Sequence, residues 1–247
     1  MKTLTFSGRC AKEIIREPLN LFFGLGFPVV LLLLLSAIQS NVPVNLFRIE
    51  HLAPGITVFG LSFMTLFSAT LIAKDRESSL MQRLYTTPLK ATDFILGYML
   101  PIIPIATAQS VVCYTVSVFL GLPVTVNIIK SVLLLIPVSV LYISLGLLFG
   151  SILNSKQVGG ICGALLTNLS AWLSGIWFDI ELAGETFKKI ADLLPFVHAV
   201  ELQRAVINGT FGKATTHLYY VVGYTIVITL LAVLMFLRQM KKQKRIQ

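Results

Sequence analysis

The sequence predicts an all-α polytopic membrane protein. It should have six transmembrane helices, an N-terminal amphipathic interfacial helix, and short outer-leaflet helices between the fifth and sixth spans. Three observations predict this class. Of 247 residues, 55% are hydrophobic and only 13% are charged, and the mean hydropathy is +0.83. A soluble domain carries about 25% charged residues, so this chain lacks the charge to cover a globule of its size. Several apolar runs also reach the ~20 residues that a helix needs to cross a hydrocarbon core ~30 Å thick. Finally, the basic residues gather in alternate intervals between those runs.

The spans read as about 19–39, 54–73, 94–120, 131–153, 158–178 and 218–237, with ends uncertain by ~4 residues. The third contains Pro101 and Pro104, and the fourth Pro137. Each proline removes a backbone donor, so these helices should kink or begin with a broken turn. With the N-terminus taken as cytosolic, 14 of the 20 Lys and Arg fall on the inner side and 6 on the outer, while the 11 acids divide as 5 and 6. The inner side therefore carries the whole excess of +9. Basic loops stay on the cytosolic side, so both termini are expected there. The excess reports topology and attraction to anionic lipid; no nucleic-acid partner is expected.

The chain reads as one transmembrane domain over 1–247, with three special segments. In residues 1–18, Lys12 and Arg16 alternate with Ile14 and Ile15 just before the first span. This segment could lie flat on the membrane, apolar side in lipid and basic side toward phosphates. It has no apolar core or small-residue cleavage site of a secretion signal, so it should remain on the mature protein. Residues 74–93 place Lys74, Asp75, Arg76, Glu77, Arg83, Lys90 and Asp93 between two apolar runs. On a helix at ~100° per residue, Leu80, Met81, Leu84 and Tyr85 cover about 140° of one face. Glu77 falls inside that arc. Such a helix suits either a partner's groove or the lipid headgroups. Residues 179–217 are the longest outer interval. Phe187, Ile190, Leu193 and Leu194 recur there at helical spacing until Pro195 breaks the pattern. Val197, Val200, Leu202 and Val206 then sit beside Glu201 and Arg204. Two short amphipathic helices are expected, dipping into the outer leaflet or packing on the spans.

Much chemistry is missing. The sequence has no GxxxxGK[ST] phosphate loop and no HExxH, and no span carries Asp or Glu at mid-depth, where one would mark an ion path. Cys10, Cys113 and Cys162 show no metal spacing and read as small apolar fillers. His51, His198 and His217 fall on the outer side and read as isolated interfacial groups. Gln109 and Asn168, with scattered Ser and Thr such as Ser170, suit hydrogen bonds between helices. Together with Trp172 they could alternatively line a substrate path. Gly159 and Gly163 form a GxxxG that could serve packing within the chain or between two chains.

Four stretches share one resemblance. "KDRESSLMQRLYTTPLKATDFILGYMLP" is similar to the cytosolic segment of type-2 ATP-binding-cassette transporter permeases, in which a basic-acidic pair leads a short helix, then "TPL", then the next span. "LPFVHAVELQRAVINGTFG" resembles that family's stretch before the last span. "SGIWFDIE" resembles its exit from the fifth span, although Asp179 stands where the family usually has proline. "IREPLNLFFGLGFPVVLLLLL" resembles its entry into the first.

The resemblance implies two permeases, identical or homologous, that form a path, and two separate ATPase subunits on the cytosolic side. ATP and Mg would bind those subunits, and this chain would bind no cofactor. The resemblance also implies that Arg76, Glu77, Leu80, Met81, Leu84 and Tyr85 dock into an ATPase cleft. Asp179, Glu181, Pro195 and Arg204 would shape an outer exit turn. The function implied is an exporter subunit for a lipophilic or amphiphilic compound, such as a drug or antibiotic. A polysaccharide or teichoic-acid export permease and a non-transporting membrane sensor or resistance protein remain open, whereas the lack of catalytic pairs argues against a membrane enzyme. The pure chain should therefore turn over no ATP; substantial hydrolysis in a preparation free of any ATPase subunit would refute this.

Overall fold

The computed structural model describes residues 2–42, 47–78, 91–178 and 180–244, and among these the chain is helical with no strand. Helix α1 is Lys2–Ile15. Helix α2, Pro18–Asn41, contains a π-helical turn at Phe22–Gly26. Helices α3, Ile49–Glu77, α4, Ala91–Met99, α5, Ile102–Phe119, and α6, Val126–Ile152, follow. Helix α7 joins Ser155–Val158, a π-helical stretch Gly159–Leu166, and Thr167–Trp172. After a 3-10 turn at Ile180–Ala183 come α8, Glu185–Asp192, α9, Pro195–Ile207, and α10, Phe211–Lys244.

Helix α3 is the axis of the bundle: 89% of its most apolar stretch is buried, against 17% for α10 and 22% for α2. Its closest neighbour is α6, and small residues make that approach close. A Cβ added at Gly146 would lie 2.5 Å from the Thr65 carbonyl oxygen, and one at Gly150 would lie 2.7 Å from that of Ala69. Across this seam Thr65 Oγ1 donates to the Tyr142 carbonyl at 2.8 Å, and Ser68 Oγ to that of Ile143 at 3.2 Å. Small residues with hydroxyl cross-bonds are how helices associate where no water drives them together. The sequence pattern also singles out Gly159 and Gly163, for packing within the chain or between two chains. Of these, Gly163 faces Leu66, while Gly159 meets nothing.

Further polar bonds tie the other helices together. Tyr142 and Ser170 pair across α6 and α7 at 2.8 Å, and Ser144 pairs with Thr229 of α10 at 2.8 Å. A buried chain of hydroxyls and an amide, Tyr114, Ser131 and Gln203, links α5, α6 and α9.

Among the described residues, five helices are long and apolar enough to cross a membrane: Pro18–Asn41, Ile49–Glu77, Thr92–Phe119, Val126–Ile152 and Phe211–Gln239. The prolines act unequally. The third of these breaks where α4 ends at Met99 and Pro101 caps α5, as its two prolines lead one to expect. Pro137 sits inside an unbroken α6, as Pro54 does in α3. Helix α7 is shorter and less apolar, yet its ends reach both ends of α3. Ser155 bonds Glu77 at the C-terminus of α3. Gly175 is held by Arg204, which also reaches the His51 carbonyl near the N-terminus of α3. In the outer interval Pro195 occupies the first turn of α9, a position where its missing N–H is no loss. Val197, Val200, Leu202 and Val206 are all buried, so α9 packs on the bundle.

The α3–α6 seam generates a test. Gly146→Ala or Gly150→Ala drives a Cβ into backbone, and overpacking of this kind costs about 1–3 kcal/mol. Thermal unfolding of the purified chain should fall for both, while Gly159→Ala, which meets open space, should leave it unchanged.

Candidate functional site

The densest polar structure lies where α3 ends and α4 begins, on either side of residues 79–90. Helix α1 makes it. One side of α1, with Phe6, Cys10 and Ile14 buried, packs on the bundle, while Leu4 and Ile15 are exposed. Of the two isoleucines expected to enter lipid, Ile14 is buried and Ile15 is exposed. Phe6 enters a notch at Gly97: a Cβ there would sit 2.2 Å from the Phe6 ring. The ring stands edge-on to Phe94 and Tyr98, with centroids 5.5 and 5.0 Å away. Edge-to-face contact of this kind adds about 0.5–1.5 kcal/mol beyond burial. Burial pushes the Cys10 thiol up to about 12, so it remains protonated and acts as a packing group.

The apolar docking brings α1's polar groups onto both stems of the 79–90 segment. Arg9 grips Asp75 with two parallel bonds, 2.6 and 2.7 Å. Asp75 is 2% exposed and also accepts from Tyr98 at 2.9 Å. The second arm of Arg9 holds Glu13 one turn on, at 2.6 Å. This bidentate hold on Asp75 keeps the guanidinium more firmly protonated than usual, whereas burial raises Glu13's affinity for a proton. Glu17 pairs with Lys74 on the same stem. On the other stem, Thr3 donates to Asp93 at 2.5 Å. Helix α1 thus bonds the last turn of α3 and the first turn of α4.

Arg76 and Glu77, expected to meet a partner, bond within the chain. Arg76 donates to the Gly150 and Leu153 carbonyls at 2.6 and 3.1 Å, at the C-terminus of α6. Glu77 accepts from the Ser155 amide and hydroxyl at 2.9 and 2.6 Å, at the N-terminus of α7. Both signs agree with the helix macrodipole, a cation at a C-terminus and an anion at an N-terminus. A capping box between Asn154 and Gln157 completes the turn. Leu80, Met81, Leu84 and Tyr85 lie outside the described residues.

The residues expected along a path separate into two pairs. Gln109 is buried, donating to the Thr57 carbonyl at 3.3 Å, and Gly60 leaves room for it. Ser170 is buried against Tyr142. Asn168 and Trp172 are exposed one turn apart on α7. At the opposite end, Arg204 binds Glu201 at 2.9 Å and the Gly175 carbonyl at 2.8 Å, Glu181 pairs with Lys188 at 2.7 Å, and Asp179 lies outside the described residues. Sequence reasoning missed Arg9, Glu13 and Tyr98. The i, i+4 spacing of Arg9 and Glu13 was a visible signal, but the buried partner of Arg9, Asp75, is 66 residues away.

Residues 2–208 match the family described as ABC-2 type transporter. The chain belongs to this family of membrane transporter subunits. Among its relatives are two proteins named as transport permease ycf38. One, from Pyropia yezoensis, is 32% identical over 57% of this chain and 52% of its own length. The other, from Porphyra purpurea, is 31% identical over 80% of this chain and 71% of its own. The match thus spans about half of the first relative. Permeases of this family are transport subunits that work with an ABC ATPase, usually as dimers, and normally without an ATPase site of their own.

A double-mutant cycle tests the stem clamp of the permease. Arg9→Ala leaves Asp75 buried without its cation, a change that costs about 3–5 kcal/mol. Arg9→Ala with Asp75→Asn should cost less than the two single changes summed, by at least ~1 kcal/mol, as expected for directly coupled residues. Denaturation of the purified variants in detergent reads the difference, and strict additivity would dismiss the pairing.

Proposed function

We propose that this chain is the membrane half of an ATP-driven exporter for a lipophilic or amphiphilic compound. Two permeases, identical or homologous, pair with two ATPase subunits, and each ATPase receives the 79–90 segment in a cleft. The observation that carries this reading is the convergence at the stems of that segment. Helices α1, α3, α4, α6 and α7 are bonded to one another there through Arg9, Asp75, Tyr98, Arg76 and Glu77. A push delivered to the segment reaches all five helices at once.

Six spans with both termini cytosolic complete the reading, with α7 as the fifth span. At ~1.5 Å per residue its 18 residues reach ~27 Å, and its ends are tied to opposite ends of α3. An even number of crossings also agrees with the basic residues gathering at one side. The outward direction and the lipophilic substrate rest on the compact size and short loops, which resemble the drug-export branch of the family; the lack of acidic residues at mid-depth in the spans argues only against an ion-coupled carrier.

Leu80→Asp with Leu84→Asp tests the docking. A buried leucine contributes roughly 1.5–3 kcal/mol, and each ~1.4 kcal/mol is a tenfold change in affinity. The double variant should fold in detergent, lose the copurifying ATPase and lose transport. Normal ATPase retention with normal transport would overturn the proposal and leave the segment as a lipid-surface helix.

A further inference from the structure

Two of the three histidines, isolated in sequence, meet at the end of the bundle opposite the stems. His198 on α9 and His217 on α10 approach Nδ1 to Nδ1 at 3.0 Å, and the other nitrogen of His198 lies 3.1 Å from the Asp192 carbonyl. Tyr220 stacks flat on the His198 ring, 4.2 Å between centroids. Just beyond, Tyr224 donates to the Leu193 carbonyl. Together these interactions pin the start of α9 to α10.

The geometry fixes the protons. A carbonyl only accepts, so His198 Nε2 carries a hydrogen and donates to Asp192. Neutral His198 then presents a bare Nδ1, which must accept from Nδ1–H of His217. A first added proton goes to Nε2 of His217, and the bond between the rings survives because Nδ1–H of His217 still donates. A second proton has only His198 Nδ1 to occupy. It would set two N–H groups head to head at 3.0 Å and place two cations in adjoining rings.

We propose that His198 and His217 form a latch between α9 and α10 that holds with one proton or none and opens when a second is added. Acidification of the solution at that end would then loosen the α9–α10 hairpin. Charged groups facing the pair are Asp192 at the end of α8, Glu201 on α9 and Lys213 on α10. The two carboxylates favour the added charge and Lys213 opposes it on His217. Burial, with His217 beside it, lowers the affinity of His198 for a proton. A state with α9 undocked therefore binds more protons, so the latch holds fully above the ordinary histidine value of about 6.5 and weakens as pH falls below it.

The test is hydrogen exchange of the full chain in lipid nanodiscs between about pH 8 and pH 5, corrected for intrinsic exchange chemistry. Amides at the start of α9 should exchange at least ~10-fold faster at the acid end, which corresponds to ~1.4 kcal/mol of lost protection. His217→Gln, which admits only one proton to the pair, should flatten that profile. A flat parent profile, or a variant that keeps the parent's dependence, would overturn the latch. The 15N spectra of labelled histidines in the parent give a measurement independent of any variant. Two separate proton steps are expected, with the bond between the two rings breaking at the second. A bond that persists through both steps would equally refute the latch.

Discussion

The contact between α3 and α6 is the constraint on which the rest of the packing depends. With Gly146 and Gly150 against the carbonyls of Thr65 and Ala69, the two helices touch backbone to backbone and leave no soft side-chain layer between them. Both ends of α3 are bonded to other helices. Asp75, Arg76 and Glu77 collect four other helices at its C-terminus, while the His51 carbonyl shares Arg204 with the turn after α7 at its N-terminus. The polar groups at both places are outside the most apolar stretch, where charge is expensive to hold.

Much of this architecture was legible in the sequence because length and hydropathy are local. The break before Pro101, the start of α9 at Pro195 and the burial of Val197 to Val206 all follow from short patterns. Residues 158–178, read from the sequence as a span, are not among the five long apolar helices, because α7 is interrupted by polar and small residues. The bonds that tie its surroundings to both ends of α3 involve Glu77 and Arg204, which no single window of sequence contains. Similarly, Gly146 and Gly150 had the same spacing as Gly159 and Gly163. Only the position of the neighbouring helix decides which pair makes a seam.

The charged residues taught a different lesson. Arg76 and Glu77 look like groups offered to a partner because they stand in a polar interval between spans. In the fold they complete helix ends that would otherwise leave carbonyls and amides unsatisfied. Asp75 looked no different from its neighbours, yet it alone of the three is deeply buried. The histidines illustrate the same limit: His198 and His217 are 19 residues apart in sequence and become a pair only because α9 folds back along α10.

The notch at Gly97 has a bearing on how the chain is made. Helix α1 leaves the ribosome well before the groups that hold it: Asp75 lies 66 residues downstream of Arg9, and Asp93 lies 90 downstream of Thr3. Until Tyr98 has emerged, Phe6 has no pocket and Arg9 has no buried carboxylate. Helix α1 therefore finds its place only after α4 has been made. A nascent chain stopped short of Tyr98 lacks the contacts that hold α1, and the bonds of Arg76 to α6 and of Glu77 to α7 come later still.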